Sequence, residues 1–203
     1  MSIVVGIIRN NKVIISTDTK LVEIANPQNY KEGFPKIYQF TLDNNKYIIG
    51  CAGEGKDIAI FLKTLSQYQF KLSMPYKQSD FILELRKIFE DNHIHNAQLI
   101  IGCIDNNKPK LFMINANSIE SADNDCGYFI LPPANLPISD LNAILETITL
   151  NESNELDFLK NLQLKVGEKT NFKYVNDDFY YNILDCNNEI IKPAKSDKGF
   201  EMP

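Results

Sequence analysis

At 203 residues and 23.2 kDa, with a formal net charge of −5, the chain is long enough for one well-buried domain and short for two. The acidic balance argues against a sequence-independent nucleic-acid binder, which needs a basic face to displace counterions from phosphate. A hydrophobic share of 44% excludes disordered and fibrous classes, and no apolar run approaches the ~20 residues that cross a bilayer, so no membrane partner and a cytoplasmic protein are expected. Cys51, Cys103, Cys126 and Cys186 lie far apart without CxxC spacing, which predicts reduced core thiols rather than a zinc site or a disulfide framework.

The chain opens with two apolar β-branched runs, 3–8 and 13–17, joined through Asn10-Asn11, a pair that tolerates the positive φ of a tight hairpin. A looser stretch containing Pro27, Gly33 and Pro35 follows. A second strand pair, 36–42 and 46–52, turns at Asp43-Asn44-Asn45. From Glu54 the period changes: Ile58, Phe61, Leu62 and Leu65 fall on one helical face, and Phe81, Ile82, Leu85, Ile88 and Phe89 form a second stripe over 79–91, after a break near 73–75. Strands return at 98–104 and 109–114, turned by Asp105-Asn106-Asn107, and again at 128–131, where Pro132-Pro133 ends the ladder. Two further helices are predicted over 138–150, with Ser139 or Asp140 placed to cap it, and over 155–166. A last strand spans 179–184. Residues 1–192 are expected to form one domain, with 193–203 a loose tail. Hairpins, two helices, hairpins, two helices and a strand fit an α+β fold, a four-layer αββα sandwich of two stacked antiparallel sheets between helix layers.

No phosphate-binding glycine loop is present, and His93 and His95 carry no cysteine or acidic neighbours at metal spacing, so they read as surface or cap residues. Gly50-Cys51-Ala52-Gly53 lacks the GxSxG form of a nucleophile elbow, and Cys51 reads as core. No cofactor is implied.

The stretches Ser2-Ile3-Val4-Val5-Gly6-Ile7, Val13-Ile14-Ile15-Ser16-Thr17-Asp18-Thr19, Pro35-Lys36-Ile37-Tyr38 and Ile49-Gly50-Cys51-Ala52-Gly53 resemble the N-terminal half of proteasome β subunits and of the HslV peptidase, which are N-terminal nucleophile (Ntn) hydrolases. The pair Leu99-Ile100-Ile101-Gly102-Cys103-Ile104-Asp105 and Lys110-Leu111-Phe112-Met113-Ile114-Asn115 is similar to their later sheet. The resemblance implies a nucleophile at Ser2, exposed by removal of Met1, with Asp18, Lys36 and the Gly53 N–H in supporting roles and Asp177 or Asp178, of which Asp178 is chosen, as a second acid. Chemistry agrees, because a free α-amine titrates near ~7.7–8.0 and can serve as base for the hydroxyl of its own residue. The resemblance further implies peptide or unfolded-protein substrates, a homo-oligomeric ring and an ATPase unfoldase as partner. Family members carry a Gly-Ser-Gly segment after the strand at 128–131, whereas this chain has Leu131-Pro132-Pro133-Ala134, which leaves the family's supporting serine without a counterpart. A noncatalytic ring or scaffold subunit of the same fold, and an acylase-like hydrolase of small amides, therefore remain as alternatives.

Overall fold

The computed structural model describes residues 2–22, 28–34, 36–67, 77–124, 127–148 and 154–192. The expected break near 73–75, Cys126 and the tail 193–203 lie outside them.

Strands β1 (Val4–Arg9) and β2 (Lys12–Asp18) form the opening hairpin, and Asn10 and Asn11 sit at φ of 51° and 57°, as a type I′ turn requires. Short strands β3 (Leu21–Val22) and β4 (Tyr30–Lys31) pair with each other. Then come β5 (Ile37–Leu42), β6 (Asn45–Gly53), α1 (Gly55–Gln67) and α2 (Gln78–Asp91). The second half runs β7 (Ala97–Asp105), β8 (Lys108–Asn115), β9 (Ile119–Ala122), β10 (Tyr128–Leu131), α3 (Ile138–Thr147), α4 (Glu155–Lys169), β11 (Phe179–Leu184) and β12 (Ile190–Ile191). Helix α3 starts from Pro137 without a side-chain cap, so neither Ser139 nor Asp140 plays the expected role.

One five-stranded sheet has the order β10-β1-β2-β11-β12 and the other β5-β6-β7-β8-β9, with antiparallel neighbours throughout. Strand alternation sorts each sheet's side chains into two cores. Ile3, Val5 and Ile7 face Leu141, Ile144, Leu159 and Leu162 of α3 and α4. Tyr47, Ile49, Leu99 and Ile101 face Phe61 of α1 and Phe81, Leu85 and Phe89 of α2. Between the sheets, Val4, Ile8, Val13 and Ile15 meet Ile48, Ile100, Ile104 and Leu111. The layers are therefore helix, sheet, sheet, helix. Glycines let the two sheets close on each other: a Cβ on Gly50 would stand 2.5 Å from Val4, and one on Gly102 would stand 2.4 Å from Val13.

Of the four cysteines, Cys51 and Cys103 are buried as expected, and burial pushes the Cys51 thiol up and that of Cys103 to about 12. Cys186 is exposed, contrary to the sequence reading, because it falls in the turn between β11 and β12 rather than in a strand.

Candidate functional site

Strand β2 ends in Ser16-Thr17-Asp18, and Thr19 and Lys20 follow; all five are buried. Burying polar groups is costly unless each is bonded, and here the bonds converge on Asp18. Its Oδ1 accepts the Ile3 N–H at 3.1 Å, and its Oδ2 accepts the Lys20 N–H at 2.9 Å and the Lys36 ammonium at 2.8 Å. Lys36, only 5% exposed, also donates to the Lys20 carbonyl at 2.6 Å. Burial raises the Asp18 carboxyl above its ordinary value and lowers the Lys36 ammonium below its own, with the charge of each partner opposing the shift.

This pair grips the start of β1. The Ile3 N–H belongs to the Ser2–Ile3 peptide, so its bond to Asp18 fixes the peptide plane that carries Ser2. The Thr17 hydroxyl donates to the Ile3 carbonyl at 3.0 Å, holding the next peptide as well. Ser2 is 6% exposed at the end of a strand paired on both sides.

Gly53 closes β6 at φ of +123°, and a Cβ there would lie 2.0 Å from the Asn96 carbonyl oxygen. Only glycine fits this position. The Glu54 N–H bonds the Asn96 carbonyl at 2.8 Å, and the Cys51 N–H bonds the Lys36 carbonyl at 2.9 Å. Ladder bonds alternate along an antiparallel strand, so the intervening Gly53 N–H is turned away from β7, one step beyond the Cys51–Lys36 bond. Gly53→Ala is expected to lower stability by at least ~2 kcal/mol from the combined strain and clash, measured by urea denaturation. A wild-type midpoint would mean that this junction relaxes freely.

Ser2, Ala52, Gly53 and Glu54 share the wall of a cleft of about 450 Å³ with His95, Asn96, Gln98, Asn115, Asn117, Ser118, Pro132 and Ala134. Ser2 and Gly53 come from different sheets, and the cleft opens where β1, β6 and β7 reach the same end of the sandwich.

No family model and no curated protein matches the chain. Solved structures do. Anbu from Hyphomicrobium sp. strain MC1, in a Gly-1 mutant form, superposes with a TM-score of 0.73 at 13% identity, covering 95% of this chain and 86% of its own. HslV from Trypanosoma brucei gives 0.65 at 12%, over 90% of this chain and 99% of its own. The helical assembly of the Anbu complex from Pseudomonas aeruginosa gives 0.65 at 12%, over 96% and 88%.

The chain has the Anbu and HslV fold.

Within the Anbu and HslV fold, four of the five residues singled out in the sequence gather at one end: Asp18 binds Lys36 and the Ser2–Ile3 peptide, and Ser2 and Gly53 line one cleft. The fifth, Asp178, is bonded elsewhere. Its Oδ2 accepts the Thr19 hydroxyl at 3.0 Å, in a knot where Asn176 accepts the Thr19 N–H at 3.1 Å and donates to the Thr19 hydroxyl at 3.1 Å. Gln163 of α4 holds this segment by donating to the carbonyls of Asn176 and Asp178. Asp178 thus meets the site through Thr19, the neighbour of Asp18.

The sequence reading missed Asn176, Thr17 and the Lys20 carbonyl, and it set His95 aside although His95 lines the cleft. One signal pointed to part of this: five consecutive polar residues, 16–20, directly after an apolar strand. Pro132 and Ala134 line the cleft and bring no hydroxyl to it. Ser118 brings one from the turn after β8, where it accepts from Asn115 Nδ2 at 3.0 Å.

Proposed function

We propose that this protein is a proteasome-type hydrolase subunit that cleaves peptide bonds with Ser2 as nucleophile once Met1 is removed. The observation that carries the reading is the buried Asp18–Lys36 pair, bonded to the peptide that holds Ser2 and set behind a cleft that Ser2 and Gly53 share. With Met1 gone, the Ser2 α-amine takes the proton of its own hydroxyl as Oγ attacks the substrate carbonyl. The Gly53 N–H stabilises the oxyanion, the amine passes its proton to the leaving nitrogen, and water then hydrolyses the ester with the same amine as base. An ammonium has three donors. Lys36 spends one on Asp18 and one on the Lys20 carbonyl, and the third has no partner among the described residues, which leaves it free to favour a neutral amine and a polarised hydroxyl at Ser2.

The subunit works in a homo-oligomer, a reading supported by the helical assembly of the Pseudomonas aeruginosa Anbu complex, which has the same fold. A closed ring served by an ATPase unfoldase in the cytoplasm extends it. A second reading, a noncatalytic subunit, is favoured by Pro132 and Ala134 at the cleft wall, which supply no hydroxyl. Small amides are the substrates to add if peptides are left intact.

The test is an intact mass of protein from its native cell, followed by an assay on unfolded casein-like polypeptide. A chain starting at Ser2 that releases new amino termini is expected. Retained Met1 blocks the base and leaves the noncatalytic reading.

A further inference from the structure

We infer that the cleft beside Ser2 selects peptides with a cationic side chain next to the bond that is cut, and that Glu54 reads that charge. The inference rests on the Ser2 hydrolase reading. Glu54 directly follows Gly53, and its backbone is fixed at both ends, its N–H on the Asn96 carbonyl and its carbonyl accepting from the Ile58 N–H of α1. The residue is half-buried in the cleft wall, and among the described residues no cation and no hydrogen-bond donor pairs with its carboxylate. Carboxylates at a helix start usually satisfy the first-turn amides, but this one makes no such bond.

The rest of the wall leaves that charge uncompensated. Among the described residues no lysine or arginine lines the cleft; Asn96, Gln98, Asn115, Asn117 and Ser118 are neutral donors and acceptors, and His95 is exposed at the rim. Lys56 is exposed on the first turn of α1 and lies outside the lining. A second carboxylate, Asp57, stands behind the wall, accepting the N–H groups of His95 at 3.1 Å and Asn96 at 2.8 Å. A half-buried, unpaired carboxylate interacts with an incoming charge more strongly than one in open water, so it separates cationic from anionic substrates.

The experiment uses the full-length mature protein at pH 8 and internally quenched peptides that differ only in carrying Lys, Gln or Glu at each position flanking the central bond. The Lys peptide is expected to exceed the Glu peptide by about tenfold in kcat/KM at one of the two positions. The Lys-to-Glu ratio should collapse toward one in Glu54→Gln and shrink in 1 M salt. Binding to the Ser2→Ala variant, followed by fluorescence anisotropy, should show the same order. Equal handling of Lys and Glu peptides, or a preference that survives Glu54→Gln, overturns the assignment of Glu54. Hydrolysis of no peptide by the wild type, with Lys-selective binding intact and dependent on Glu54, overturns the Ser2 reading and keeps the selective cleft.

Discussion

Asp18→Ala is expected to cost about 3–5 kcal/mol, the penalty of stranding a buried charge. Lys36 would keep a single bond to the Lys20 carbonyl, and the N–H groups of Ile3 and Lys20 would lose their acceptor. Lys36→Met should cost less, because the carboxylate then keeps two backbone donors. Burial already disfavours the charged form of both partners, which is the condition under which a buried ion pair contributes little net stability. The double variant Asp18→Asn with Lys36→Met, which retains an acceptor at residue 18, should therefore recover most of what Asp18→Ala loses, while hydrolysis stays absent. Urea denaturation of the wild type, Asp18→Asn, Lys36→Met and their double variant gives the coupling directly. A wild-type midpoint for Asp18→Ala would show that the pair is solvated and too weak to orient Ser2.

Ser2→Ala is the change with the largest expected effect on rate. Losing the nucleophile of an enzyme whose catalytic groups act as a unit costs on the order of 10⁶ in kcat, which takes turnover to background. The fold should be indifferent, since a single hydroxyl at the end of β1 carries little packing energy. Ser2→Thr keeps both the hydroxyl and the α-amine and adds a methyl that restricts χ1, so it should retain activity. Hydrolysis by purified Ser2→Ala at the wild-type rate would remove Ser2 from the mechanism.

The larger elements were legible in the sequence because their signals are local. Asn10-Asn11, Asp43-Asn44 and Asn106-Asn107 all adopt positive φ, so the three hairpins that organise both sheets are written in adjacent residues. The helical stripes of α1 and α2 lie within one turn of where periodicity set them. Strands β3, β4, β9 and β12, of two to four residues, carry no periodic signal: β9 and β12 add to the edges of the two large sheets, and β3 and β4 pair with each other. The same division runs through the site. Ser2, Asp18, Lys36 and Gly53 lie in motifs with a recognisable order, whereas Asn176 meets Thr19 across 157 positions and has no local mark. Burial of Lys36 was equally hidden, since a lysine opening a strand normally reaches solvent. Pro132-Pro133 was visible as a departure, yet only the three-dimensional cleft reveals that Ser118 brings a hydroxyl to the same wall.

The position of β1 inside its sheet, between β2 and β10, bears on the timing of the proposed removal of Met1. On the ribosome β2 follows β1 at once, but β10 ends only at Leu131. At the usual ~5–20 residues per second, translation of the intervening ~120 residues takes roughly 6–25 s. During that interval one edge of β1 is open and an aminopeptidase can reach the initiator residue. After β10 docks, β1 is paired on both sides and Ser2 is 6% exposed, so the proposed trimming has its readiest access before that point. Faster translation, or aminopeptidase in short supply, should therefore yield a mixed population of trimmed and untrimmed chains, read by intact mass.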